Sequence, residues 1–146
     1  QVVISGGKAA RDVALEMGKE AGAKRALTLA LSVAAHSPLM ASAAEQFTIE
    51  LEKVDFQQPT LDVYGNVSTR PLETPDMIVA ELREQIVAPV RWTESVRNMI
   101  DGGAATFVEI GVGEVLSGLV KRIDRAPKRL SVNSAESLRE YLKYAV

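Results

Sequence analysis

Segments that alternate between strand and helix patterning predict an α/β protein, a partial sheet flanked by helices, with at least part of the sheet parallel. Three observations carry this. The β-branched run Val2-Val3-Ile4 ends at Gly6-Gly7, and Thr106 to Ile110 is a second compact run of strand formers ending at Gly111. Between such runs lie segments whose apolar residues recur at helical spacing. Proline, glycine or a capping side chain bounds most of these segments. The chain shows no internal repeat and no low-complexity stretch.

Taken in order, the opening run reads as a strand already under way at Gln1, as expected of a piece of a longer chain. Ala10, Val13, Ala14, Met17 and Ala21 form one helical stripe, stopped by Gly22. Arg25 to Val33 reads as a strand, with Leu27, Leu29 and Leu31 at period two. These two strands and their helix resemble half of a small split βαβ unit, so a division near Val33 is expected. Ser37 then caps a helix with Pro38 in its first position and Met40, Ala44, Phe47, Leu51 and Val54 on one face. Leu61 to Tyr64 is a short strand ended by Gly65-Asn66. Thr74, Pro75 and Asp76 open a helix with Ile78, Leu82 and Ile86 at its apolar face, which must stop near Ala88 because Pro89 follows. A shorter helix starts at Thr93 and closes at Gly102-Gly103. After the strand Thr106 to Ile110, Gly111-Val112-Gly113 turns into a helix with Val115, Leu116, Leu119, Val120 and Ile123 inward. Ala126 to Lys128 reads as a polar link, and a last helix, capped by Asn133 with Glu136 three residues on, buries Leu138, Tyr141 and Leu142.

Composition narrows the chemistry. The 146 residues are 47% hydrophobic and 25% charged with a formal charge of −2, which gives a globular core and no basic excess for nucleic acid. There is no cysteine, so disulfides, thiolate metal sites and a cysteine nucleophile are excluded; a single histidine excludes a multi-histidine metal cage. No apolar run reaches the roughly 18 residues of a membrane span. A cytoplasmic location is the default expectation.

His36 is the only histidine, set between a predicted strand and a capped helix. Ligands of α/β sheets gather at such loops. The positive helix start disfavours imidazolium, leaving a neutral ring able to accept a proton. It is either a general base or a surface or capping histidine. A base needs a nucleophile, and no G-x-S-x-G elbow occurs: Ser5 has one of the two glycines and Ser117 neither. Gly111-Val112-Gly113 is neither G-x-G-x-x-G nor a P-loop and reads as a tight turn. Lys121, Arg122 and Arg125 cluster near a helix end, where cations suit the dipole and where an acidic partner could also dock. Glu81 and Glu84 read as a solvated pair, and Trp92 as an interface or core aromatic.

Several segments together resemble the malonyl-CoA:acyl-carrier-protein transacylases. Gly22-Ala23-Lys24-Arg25-Ala26-Leu27 with Ser32-Val33-Ala34-Ala35-His36-Ser37-Pro38-Leu39-Met40 looks like the surroundings of that family's active-site histidine. Gly65-Asn66-Val67 resembles its Asn-Val element, and Gln85 with Pro89-Val90-Arg91-Trp92 its Q-x-x-x-P-V-x-W stretch. Phe107-Val108-Glu109-Ile110-Gly111, Gly113, Val115-Leu116 and Gly118-Leu119-Val120-Lys121-Arg122-Ile123 resemble its closing motif. The elements keep family order to about residue 123, and the resemblance is to the carboxyl-terminal half.

The resemblance implies a truncated acyltransferase fold, with residues 1–33 as the remainder of a small ferredoxin-like subdomain and 34–146 as part of the large α/β domain. It implies transfer of malonyl from coenzyme A, through a serine ester, to the phosphopantetheine thiol of acyl carrier protein in fatty acid or polyketide synthesis. His36 would be the base, oriented by the main-chain oxygen of Gln85, and backbone amides would stabilise the oxyanion. Asn66 and Ala35 would lie on the substrate side, and Lys121, Arg122 and Arg125 would meet the carrier protein. No cofactor is expected beyond malonyl-CoA as substrate, and no metal, nucleic acid or membrane. In the family the elbow serine, the arginine that pairs with malonate and an amino-terminal glutamine precede the matched segments, so the isolated chain is expected to be inactive. It is expected to self-associate or to bind the missing amino-terminal half. Val112 replaces a frequent family proline, and Ala35 leaves room at a position where related acyltransferases use bulkier or smaller residues to tune acyl choice. The alternative is a non-catalytic α/β fragment acting in assembly or partner binding, favoured if the gene begins at Gln1.

Overall fold

A computed structural model describes residues 2–30 and 33–143. The chain divides into two compact units, the first running to Val90 and the second from Arg91. The fold is α/β: six α-helices and a parallel two-stranded sheet among the described residues.

In the first unit, α1 (Lys8–Glu20) forms where the Ala10–Ala21 stripe predicts it. Gly22 ends it at φ 87°, a left-handed conformation that lets Ala23 N reach Gly18 O at 2.9 Å. None of its residues is buried, and Val13 and Met17 stay more than half exposed. The expected flanking strands are a correction: the described residues of 2–7 and 25–33 belong to no strand. Apolar alternation supplies only the side chains of a strand. The ladder needs a partner's N–H and C=O groups, and none of the described residues offers them. Leu31 and Ser32 lie outside the described residues.

The next helix opens as a 3₁₀ turn, Pro38–Met40, and continues as α2 (Ala41–Leu51), ending three residues before Val54. Its apolar face packs on α3 (Pro75–Gln85) with Leu51 buried. Thr74 caps α3 as predicted, its Oγ1 accepting from Met77 N at 3.2 Å, and Pro75 takes the first position. The chain between these helices makes a narrow antiparallel hairpin with a Tyr64–Pro71 bridge, where Leu72 N donates to Val63 O at 2.8 Å and Gly65 N to Arg70 O at 3.0 Å.

In the second unit, α4 (Trp92–Asp101) buries Ser95 and Val96. β1 (Thr106–Ile110), α5 (Val115–Ile123) and β2 (Lys128–Val132) form a βαβ unit. The strands pair in parallel from Thr106 opposite Lys128 to Ile110 opposite Val132. Val96, Val120 and Val132 form its core. β2 lies where a polar link followed by a helix cap is predicted. Its alternation, Leu130 and Val132 between polar residues after Pro127, was the available signal. The last helix, α6 (Ala135–Leu142), is capped by Ser134 rather than Asn133, through a capping box with Ser137. Leu138 and Leu142 remain about half exposed instead of buried. No helix among the described residues is long and apolar enough to cross a membrane.

Candidate active site

His36 occupies an unusual backbone position, at φ 59° in the left-handed region. For a side chain with a Cβ this conformation stores about 1–3 kcal/mol and persists only where the surroundings over-determine it. Two hydrogen bonds to the end of α3 do so. The backbone N–H of His36 donates to Ile86 O at 3.0 Å, and the ring Nδ1 lies 2.8 Å from Gln85 O. Gln85 is the last residue of α3 and Ile86 its C-cap, where carbonyl oxygens lack intrahelical partners.

The second contact fixes the ring's chemistry. A carbonyl oxygen can only accept, so Nδ1 carries the proton and donates it. In the neutral ring the basic atom is then Nε2, on the exposed side chain. Sequence reasoning tied the neutral ring to the start of the following helix. The helix that follows opens as the 3₁₀ turn Pro38–Met40 and runs on as α2, and the ring itself contacts the carboxyl end of α3. Ser37, buried, does not cap with its side chain. Its Oγ donates to Ala34 O at 2.7 Å, closing the bend that holds Ala35 half-buried and turns His36 toward α3.

Asn66 sits, half-buried, in the turn of the narrow hairpin. That turn is organised by Glu81, a correction to its reading as part of a solvated pair. Glu81 is 7% exposed. Its Oε1 accepts from Val67 N at 2.7 Å and its Oε2 from Ser68 N at 3.0 Å. Burial pushes the carboxyl up, but the hydrogen bonds from Val67, Ser68 and Asn66 outweigh it and hold it below its ordinary range. Gly65 is required beside it, because a Cβ there would overlap Ser68 Oγ and the Glu81 carboxyl group. The missed signal was spacing: Ile78, Glu81, Leu82 and Gln85 share one helical face at i, i+3, i+4 and i+7.

In the second unit Glu109 plays a parallel part. Its carboxylate accepts from Leu116 N at 3.1 Å and Ser117 N at 2.7 Å, capping α5, whose Glu114 makes no side-chain cap. The Ser117 bond leads in holding Glu109 below the ordinary carboxylate range. The Gly111-Val112-Gly113 bend therefore brings a strand carboxylate to the helix start, a tight turn that fills its own anion site. Lys121 and Arg122 are exposed in the last turn of α5, and Arg125 is exposed just beyond it. Among the described residues no group of three or more His, Cys, Asp or Glu side chains could hold a metal ion.

Residues 1–139 match the acyl transferase domain family, and the chain belongs to it. The relatives are specific in kind. The chain is 43% identical over its full 146 residues to the malonyl CoA-acyl carrier protein transacylase of Haemophilus influenzae, covering 47% of that protein. It is 41% identical over 138 residues to the same enzyme of Bacillus subtilis, covering 44%. Among solved structures, a malonyl-transacylase in complex with its type II polyketide acyl-carrier protein superposes with a TM-score of 0.91 at 39% identity, over 94% of this chain and 44% of that one. An acyl carrier protein S-malonyltransferase from Vibrio cholerae gives 0.87 at 40% identity, over 92% and 44%. The chain spans about half the length of the curated relatives it matches.

Proposed function

We propose that this chain is the histidine-bearing, carboxyl-terminal half of a malonyl-CoA:acyl-carrier-protein transacylase, working with a serine carried elsewhere in the complete protein. The observation that carries the reading is the 2.8 Å contact of His36 Nδ1 with the Gln85 main-chain oxygen. It leaves Nε2 as the one basic atom of an oriented ring, as a general base requires.

In the first half-reaction Nε2 takes the serine hydroxyl proton as the oxygen attacks the thioester carbonyl of malonyl-CoA. Collapse of the tetrahedral oxyanion breaks the C–S bond, and the departing sulfur receives that proton from Nε2. In the second, Nε2 takes the proton of the carrier's phosphopantetheine thiol as sulfur attacks the serine ester. The C–O bond breaks and the serine oxygen is reprotonated. Gln85 O keeps its hydrogen bond to Nδ1–H throughout, so the ring does not rotate between steps. Asn66 and Ala35 face the malonyl-thioester, and Lys121, Arg122 and Arg125 contact the acidic carrier.

On this reading residues 1–33 belong to the small ferredoxin-like subdomain and 34–146 to the large domain. The exposed Val13, Met17, Leu27 and Leu29 of the first unit are covered by the rest of the protein. The isolated chain, with no G-x-S-x-G motif, transfers no malonyl group. In the complete enzyme His36→Ala lowers kcat for malonyl transfer by about 10²–10⁴-fold, the usual worth of general acid–base catalysis. Transfer unchanged in His36→Ala, measured by following malonyl-carrier formation, removes the assignment.

A further inference from the structure

We propose that Glu81 is a positioning residue for this site, its carboxylate locking the turn that bears Asn66 onto the helix whose last carbonyl holds His36. The inference rests on the reading of His36 as base and Asn66 as a substrate-side residue, and adds a residue to it.

Helix α3 offers its inward face to Ile78, Glu81, Leu82 and Gln85, where an apolar side chain would satisfy packing. Glu81 is the one carboxylate or cation buried among the described residues. A carboxylate at such a place has to be held by donors. The donors are the N–H groups of Val67 and Ser68, in a loop where no strand or helix pairs them. Successive N–H groups converging on one anion form a nest, and here a side chain of the same unit fills it.

The base of the turn is closed by Gly65 N donating to Arg70 O at 3.0 Å, and Glu81 holds its tip. The turn runs through Asn66, Val67 and Ser68, none of them buried, and reaches Thr69 at φ 62°. Gly65 is stripped of a side chain where the carboxylate comes closest. Glu81 thus acts as an internal post around which the loop is wound. The other end of the relationship is on the same helix. Gln85 lies four residues on, one turn along the same face, and its oxygen receives His36 Nδ1–H. One rigid helix of 11 residues therefore carries both the post for the Asn66 turn and the acceptor for the His36 ring. Any slip of the turn against α3 is a displacement of Asn66 relative to His36. Positioning errors of about 1 Å are enough to cost roughly 10²-fold in rate.

The test is kinetic and structural together, in the complete transacylase, with Glu81→Gln, Glu81→Leu, Gly65→Ala and the double variant Glu81→Gln/Gly65→Ala. Glutamine keeps the volume but turns an amide donor toward one of the two backbone donors. Alanine at Gly65 pushes the intact carboxylate out of the nest. The expected result is a loss of about tenfold or more in kcat/KM for each single variant, and no further loss in the double. Hydrogen exchange should quicken in the 65–70 turn while α3 keeps its protection, and thermal midpoints should stay above the assay temperature. Glu81→Leu separates burial from the hydrogen bonds: it packs at least as well and should be as slow as Glu81→Gln. Kinetics within twofold of the parent in the folded Glu81 variants overturn the proposal. So does additive loss in the double variant. His36→Ala is run beside them; if it too retains full transfer, the active-site reading itself has failed, a different outcome from Glu81 alone being silent.

Discussion

The ring Nδ1 of His36 and the main-chain oxygen of Gln85, 49 residues apart in the chain, lie 2.8 Å from one another. The group facing Nδ1 is a carbonyl at a helix end, where a serine hydrolase would use an aspartate. A carbonyl presents a lone pair whatever its own side chain is, so the contact depends on where α3 stops and not on the glutamine amide. α3 stops here because the chain must approach Pro89, with Val87 N and Ala88 N both turned back to Glu84 O.

Gln85→Ala tests this separation directly. The carbonyl stays, and alanine favours the helix, so kcat for malonyl transfer in the complete enzyme should remain within about threefold of the parent. His36→Gln, which removes the basic nitrogen, should lose as much as His36→Ala. A large loss in Gln85→Ala would mean that the amide side chain, not the main chain, acts on the histidine or the substrate.

Glu81 adds a pH dependence whose sign follows from its direction. Its carboxyl sits below the ordinary 4.5 in the folded chain, so between the two values the unfolded state binds more protons. Its contribution to stability is therefore present above the ordinary value and lost as pH falls through the folded one. At neutral pH Glu81→Gln should lower stability by about 1–3 kcal/mol, the worth of a charged hydrogen-bond pair left half made. On acidification the thermal midpoints of parent and variant should converge. A gap that stays constant from about pH 7 to about pH 3 would show that ionisation of Glu81 is not what holds the turn.

What was legible in the sequence was local. Thr74-Pro75-Asp76 specifies the start of α3, and the Thr106–Ile110 strand is bounded by glycines, so both appear where their own residues place them. The α/β class and the parallel pairing follow from the same alternation. The strands expected at 2–7 and 25–33 failed because pairing is a property of two segments, and pattern describes one. Glu81 and Glu109 were missed for a related reason: a carboxylate on a helix face or in a strand reads as solvated until the fold brings backbone donors to it. For Glu81 these lie 13 and 14 residues back, in a turn whose shape the sequence does not encode locally. The His36–Gln85 pairing was legible only through family resemblance, since no spacing rule links a loop residue to a helix end so far along the chain.

The basic residues near the end of α5 make a prediction that separates the two halves of the reaction. Lys121, Arg122 and Arg125 are exposed, and exposed charges add little to stability but can act at a distance through their field. If that field receives the acidic carrier, Lys121→Glu with Arg122→Glu should raise KM for the carrier protein about tenfold or more while the serine is loaded from malonyl-CoA at the parent rate. Opposite charges attract less as salt rises, with a screening length of about 8 Å near 0.15 M ionic strength. The parent enzyme should therefore lose carrier affinity with added salt, and the reversed variant should depend on salt weakly or in the opposite sense. Arg125→Glu should behave in the same direction with a smaller effect, since it lies past the helix end. Unchanged KM for the carrier across all three reversals would place the docking surface on another part of the protein and leave these cations as the complement of the α5 dipole.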